Sequence, residues 1–230
     1  LRLSRGLGDV YKRQNISGAG TSEIIVEGVD KLNPTDHEII GDRIAAGTFL
    51  AAILSTKGSG IVNGINPEHL PMELKKLGEM GAKIDSTETS INIEYQDNLQ
   101  SIELSTLPFP GIATDLQPIF GSALLLAEGT SILTENVYDQ RFQWIPEVQR
   151  MGANIQTGWQ HAMIKGVESL SGAPVHATDI RTGASLIIAA LQADGLSTIT
   201  GIDHINRGYE DIVTSLSSLG STIEYNNTNG

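Results

Sequence analysis

The 230-residue chain contains no cysteine, which excludes disulfides and cysteine-ligated metal centres within it. Aromatic residues make up only 5%, so a core must be built from Ile, Leu, Val and Ala. Basic residues are outnumbered, 15 Lys and Arg against 27 Asp and Glu, for a net charge of −12. That balance argues against binding nucleic acid or an anionic membrane, both of which need a basic face. It leaves small anionic substrates open, because a few converging arginines can hold a phosphate on an otherwise acidic protein. No apolar run approaches the roughly 20 residues that span a bilayer. No stretch at the start has the basic, apolar, small-residue order of a signal peptide, and a cytoplasmic protein is expected. The length suffices for one large domain or two small ones.

Residues 1–14 differ in character from the remainder of the chain. They carry four basic residues, Arg2, Arg5, Lys12 and Arg13, against one acid, Asp9. A non-native leader is expected there, with a genuine basic arm as the alternative.

Beyond them the chain repeats. Three segments open on an aspartate (Asp42, Asp115, Asp179), run through an apolar helical stretch, pass a charged residue followed by glycine (Gly58, Gly129, Gly195), form a short strand, and end a second helix at a glycine (Gly81, Gly152, Gly220). The aspartates are 73 and 64 residues apart, the middle glycines 71 and 66, and the closing glycines 71 and 68. Three landmarks drifting together define a repeated helix–strand–helix–strand unit. Helices are predicted over 44–54, 116–127 and 180–192, and strands over 60–63, 131–135 and 197–201. Both sets of glycines are expected to end helices by taking the left-handed conformation. Strand pairs 83–86 with 90–95 and 154–156 with 162–165 lie between units, and the β-branched run 23–27 precedes them. The first helix of each unit is apolar nearly all round, as in 185–191 and 123–127. Such helices belong inside, with sheets outside, so the expected fold is α/β with buried helices and outer sheets, an inside-out α/β barrel.

Parallel helices from equivalent units aim their amino ends, with unpaired N–H groups and partial positive charge, toward one side. Together they offer an anion site. Asp42 and Asp179 fit helix N-caps at least as well as catalytic groups. Asp115 differs: it comes after the stiff Pro108-Phe109-Pro110-Gly111 approach and has no basic neighbour in sequence, so it reads as a lone carboxylate. Arg141, Arg181 and Arg207 fall on the same rim. Each alone suits a surface ion pair; as a set, their planar forks suit carboxylate and phosphate. The five histidines show no metal spacing, Gly18-Ala19-Gly20 lacks the strand–turn–helix setting of a dinucleotide site, and no Walker lysine exists.

The runs His204-Ile-Asn-Arg-Gly-Tyr-Glu210, Ala177-Thr-Asp-Ile-Arg181 and Ala113-Thr-Asp-Leu-Gln117 resemble the enolpyruvyl transferase family, specifically its UDP-N-acetylglucosamine 1-carboxyvinyltransferase branch. Thr134-Glu-Asn-Val137 with Arg141-Phe142, Asp42-Arg-Ile-Ala-Ala-Gly-Thr-Phe49 and Gly18–Gly28 support it, and the resemblance covers about residues 15–230. It implies two domains of three repeated units each, facing across a cleft. On that basis 15–39 is expected to end the first domain and 40–230 to form the second, catalytic one. The family's Lys-Asn pair, its Cys-bearing loop and most of its uridine-binding segment have no counterpart here, so the absent cysteine would reflect truncation.

Carried over residue by residue, Asp115 matches the carboxylate that contacts the sugar 3-hydroxyl and acts as general base, and Val137 matches a backbone contact to the nucleotide sugar. Arg181 and Arg207 match arginines at the phosphoenolpyruvate site, Arg207 with a catalytic role. Arg141 matches another cleft arginine and Asp179 a cleft carboxylate. The resemblance implies UDP-N-acetylglucosamine and phosphoenolpyruvate as partners, a place at the first committed step of peptidoglycan synthesis, and neither metal nor organic cofactor. Where family members often read Phe-Pro before Thr-Asp, this chain has Ile112-Ala113. The rival readings are the 3-phosphoshikimate branch, which lacks the 204–210 run, and a non-catalytic nucleotide-sugar-binding repeat module.

Overall fold

The computed structural model describes residues 15–18, 23–31, 34, 36 and 38–226. The leader expected over 1–14 lies outside the described residues. The chain divides into two compact units, the first ending at Gly41 and the second starting at Asp42. In the first, β1 (Asn15–Ser17) pairs antiparallel with β2 (Ile25–Glu27), in the register Ile16 opposite Val26. The β-branched run 23–27 thus does form a strand over most of its length.

In the second unit the three expected inner helices are α1 (Arg43–Ser55), α3 (Gln117–Ala123) and α5 (Ile180–Leu191). They pack on one another, α3 against α5 and α1 against both. Every residue of α3 is buried, as are Leu50 through Ser55 of α1 and Thr182 through Ala189 of α5. An all-round apolar surface leaves such a helix no solvent face. Each fully buried leucine, such as Leu50 or Leu54, contributes about 1.5–3 kcal/mol through burial. Close packing also needs small residues. A Cβ on Gly47 would stand 2.8 Å from Leu116 Cδ2, one on Gly121 2.5 Å from Trp144 Cζ2, and one on Gly183 2.3 Å from Ile205 Cγ1. One glycine per inner helix thus lets a neighbour approach its backbone.

Sheets cover this helical centre. β3 (Ser59–Asn63), β4 (Ala82–Ser86) and β5 (Ser90–Tyr95) form an antiparallel sheet in the order β3-β5-β4, with α2 (Pro71–Glu79) between β3 and β4 in sequence. The second repeat gives β6 (Glu103–Ser105), β7 (Thr130–Thr134), α4 (Ile145–Arg150), β8 (Asn154–Gly158) and β9 (His161–Lys165), ordered β6-β7-β9-β8, with only β6 and β7 parallel. In β5 and β9 buried residues alternate with exposed ones, Ile91 and Ile93 and then Ala162 and Ile164 facing inward. The third repeat has two parallel pairs, β10 (Leu170–Ser171) with β12 (Ala193–Asp194) and β11 (Pro174–His176) with β13 (Thr198–Thr200). It closes with α6 (Ile202–Asn206) and α7 (Ile212–Ser218).

The closing glycines behave as expected. Gly81, Gly152 and Gly220 have φ of 108°, 99° and 97°, each directly after the cap residue of α2, α4 and α7. In the last two helices the next amide reaches back to the final turn, Ala153 N to Val148 O and Ser221 N to Leu216 O, both 3.2 Å. The middle glycines do not share this role. Lys57, not Gly58, takes the positive φ after α1. Helix α3 stops at Ala123, four residues short of the expected end, so Gly129 lies well beyond it. The apolar run after Ala123 is claimed by other partners: Val167 N donates to Leu125 O at 2.9 Å, and the Gln192 amide from just beyond α5 donates to Ser122 O at 2.9 Å. Among the described residues no helix is long and apolar enough to cross a membrane.

Candidate active site

The amino ends of the inner helices meet, and the groups there belong to all three repeats. Asp42 caps α1, its Oδ1 accepting from Ile44 N at 2.7 Å and Ala45 N at 3.3 Å. Asp179 caps α5 in the same way, Oδ1 accepting from Arg181 N at 2.7 Å and Thr182 N at 3.1 Å, with Thr182 Oγ1 donating to Oδ2 at 2.6 Å. The N-cap reading thus describes both. Burial pushes the Asp179 carboxyl up, but the bonds from Thr182 and Arg181 and the charge of Arg141 outweigh it and hold it below its ordinary value.

Asp115 lies in a single 3-10 turn, Thr114–Leu116, that leads into α3. Its approach is pinned: Leu107 N donates to Ile112 O at 3.0 Å, Gly111 N to Pro108 O at 2.9 Å, and Ile112 is buried. So the Ile112-Ala113 step still anchors the turn. The carboxylate is not the lone group that its sequence neighbourhood suggests. Arg141 Nη2 lies 2.9 Å from Oδ1 and Arg181 Nη2 2.9 Å from Oδ2. Charge balance comes from residues 26 and 66 positions along the chain, where local sequence cannot reveal it.

Arg141 is itself positioned. Its Nε donates to Thr114 Oγ1 at 3.1 Å, and its guanidinium stacks over Tyr138 at 4.7 Å from the ring centroid. The segment bearing Val137 is held by buried Glu135, whose Oε1 accepts from Val137 N at 2.9 Å, Tyr138 N at 3.0 Å and Thr106 Oγ1 at 2.7 Å. Val137 is half exposed beside this anchor.

Arg207 stands apart. It comes directly after α6, is exposed, and its guanidinium pairs with His204 Nδ1. Its neighbour Gly208 presses on Ile180, the residue before Arg181, where a Cβ would meet Cγ2 at 2.5 Å. The structure therefore joins Asp115, Arg141 and Arg181 directly and Asp179 through the start of α5. Val137 is linked through Tyr138, and Arg207 shares only the rim.

Three groups near this site have no role in the motif reading. Tyr209 is buried and shares a 2.8 Å hydrogen bond with the second, Thr48 of α1. The third, Glu73, is fully buried, with Arg43 Nη1 3.9 Å away and Ala113 N 3.5 Å from Oε1. Burial pushes its carboxyl up, against the opposing pull of its own backbone amide, Arg43 and Ala113. A signal for Glu73 existed, since it occupies the α2 stripe shared with buried Leu77, an i, i+4 position where an apolar residue is the rule.

An inner-helix α/β domain with a two-arginine, one-carboxylate cluster where its repeats meet defines an enolpyruvyl-transferase fold. The family model described as EPSP synthase (3-phosphoshikimate 1-carboxyvinyltransferase) matches residues 13–216, and the chain belongs to that family. Similar curated proteins are the UDP-N-acetylglucosamine 1-carboxyvinyltransferases of Thermotoga maritima, 46% identical over 92% of this chain, and of Corynebacterium jeikeium, 44% identical over 91%. The chain spans about half the length of the curated relatives it matches, 50% in both cases. Among solved structures, the enolpyruvyl transferase NikO from Streptomyces tendae superposes with a TM-score of 0.83 at 26% identity, covering 94% of this chain and 52% of that one. EPSP synthase from Acinetobacter baumannii superposes at 0.76 with 21% identity, over 97% and 54%, a likeness of fold.

Proposed function

We propose that this chain supplies one face of the active site of an enzyme that transfers the enolpyruvyl group of phosphoenolpyruvate to the 3-hydroxyl of UDP-N-acetylglucosamine, releasing phosphate. The observation that carries the reading is the clasp of Asp115 by Arg141 and Arg181, in a chain 46% identical to a transferase of that name. In the first half-reaction the sugar hydroxyl adds to the enol carbon while the methylene carbon gains a proton, giving a tetrahedral ketal. In the second, phosphate leaves and the new methyl loses a proton, restoring the enol ether. Asp115 takes the hydroxyl proton. Arg181, Arg207 and Arg141 hold the carboxylate and phosphate charges, with the amino ends of the inner helices behind them. As those anions draw the guanidinium groups off Asp115, a carboxylate oxygen comes free for the hydroxyl. Val137, through its backbone, and Asp179 face the nucleotide sugar.

In this reading 15–39 closes a first, nucleotide-sugar domain, and 40–230 is the second. The missing half supplies the remaining ligands, so the chain alone binds without turning over. The enzyme works in the cytoplasm at the first committed step of peptidoglycan synthesis, where both substrates are soluble. The family description favours shikimate 3-phosphate as an alternative acceptor, whereas the curated relatives at 42–46% identity carry the UDP-N-acetylglucosamine name. Phosphate release from phosphoenolpyruvate, measured on protein extended to the relatives' full length, separates the two. Release should depend on UDP-N-acetylglucosamine; dependence on shikimate 3-phosphate instead would overturn the assignment.

A further inference from the structure

Three buried or half-buried hydroxyl and guanidinium groups behind the Asp115 clasp form a chain whose hydrogen-bond directions can be worked out. Thr48 Oγ1 lies 2.8 Å from Ile44 O, and a carbonyl oxygen can only accept, so the single Thr48 proton points there. The same Thr48 oxygen lies 2.8 Å from the Tyr209 hydroxyl oxygen. With its proton committed, Thr48 can only accept, and Tyr209 must be the donor. The Tyr209 oxygen is then left with lone pairs and no proton to give. The group placed to use them is Arg181, a pure donor, whose charge and hydrogen bond oppose the upward push that burial gives the phenol. Arg181 in turn reaches Asp115 Oδ2 at 2.9 Å. Thr48 and Tyr209 are 3% and 4% exposed, so neither has water to substitute for these bonds.

We propose that Tyr209 is a positioning residue: its hydroxyl, oriented by Thr48 of the first repeat, holds the Arg181 guanidinium of the third repeat against Asp115 of the second. Every bond in the line Tyr209 to Thr48 to Ile44 runs one way, and Arg181 feeds both Tyr209 and Asp115. The rotamer of one arginine is thereby fixed by all three repeats. This consequence for catalysis rests on Arg181 being a substrate-anion ligand, but the placement of its side chain does not.

The test reads Arg181 directly. In the 230-residue chain labelled with nitrogen-15 and carbon-13, the rotation rate of the Arg181 guanidinium about its Cζ–Nε bond is measured by NMR. Tyr209→Phe removes only the hydroxyl and should speed that rotation about fivefold, the scale expected when one charge-assisted bond is lost. Backbone amide shifts along α5 should stay in place. Thr48→Val should give a smaller acceleration, because Tyr209 loses its orienting acceptor, and Thr48→Ser, which keeps the hydroxyl, should restore the original rate. If Tyr209→Phe disturbs the fold, the Thr48 pair carries the same comparison. Arg181 rotation unchanged in both Tyr209→Phe and Thr48→Val would overturn the proposal, whatever the enzyme's substrates prove to be.

Discussion

Arg181 Nη2 lies 2.9 Å from Asp115 Oδ2, an ion pair between residues that open two different repeats of one unit. The pair converts a sequence periodicity into a site, since each repeat contributes a helix start and only their assembly brings the charges together. The clasp also leaves Asp115 with no free oxygen until an anion competes for the arginines.

Arg207 is the cation of the rim with no bond to Asp115. Replacing it with Ala in protein of the relatives' full length should raise the KM for phosphoenolpyruvate roughly tenfold or more, the scale of one lost charged hydrogen bond. Affinity for UDP-N-acetylglucosamine should hold. Unchanged phosphoenolpyruvate kinetics would remove Arg207 from the site.

Glu73 gives the fold a pH dependence of defined sign. Its folded pKa is raised above the ordinary 4.5, so the unfolded chain releases this proton first as pH rises. The contribution to stability is complete below 4.5 and is lost as pH climbs through the folded pKa. Thermal melts of wild type and Glu73→Gln should show wild type losing ground to the variant with rising pH. Wild type gaining instead would mean that the pull of Arg43 exceeds the cost of burial.

Asp179 has the opposite sign. Its folded pKa lies below the ordinary 3.8, so its contribution is full above 3.8 and lost as pH falls through the folded value. Asp179→Ala should cost about 0.5–2 kcal/mol near neutrality, the usual worth of an N-cap. In urea titrations that difference should shrink at acid pH. A pH-independent difference would show that the cap acts without its charge.

Gly121 faces the indole of Trp144 across a gap that holds no methyl group. Gly121→Ala should destabilise by about 1–3 kcal/mol through overpacking, despite alanine's better helix propensity. A urea midpoint equal to or above that of wild type would mean that Trp144 can move aside.

Local features were legible from the sequence, and cross-repeat ones were not. The caps at Asp42 and Asp179, the closing turns at Gly81, Gly152 and Gly220, and the all-apolar inner helices come from residue type at fixed spacing. The end of α3 does not, because Val167 and Gln192 draw on the backbone of its carboxyl end and the run after it. Nor does the left-handed Lys57, which takes the place expected of Gly58. The neutralisation of Asp115 and the Thr48–Tyr209 bond join residues separated by 26 to 161 positions, beyond any window of periodicity.

The most direct test replaces Asp115 with Asn in protein of the relatives' full length. UDP-N-acetylglucosamine-dependent phosphate release is monitored while the dissociation constant for that sugar nucleotide is measured in parallel. Loss of the proton acceptor should lower kcat about 10²–10⁴-fold with binding retained. Turnover close to wild type, with binding intact, would contradict the role given to Asp115.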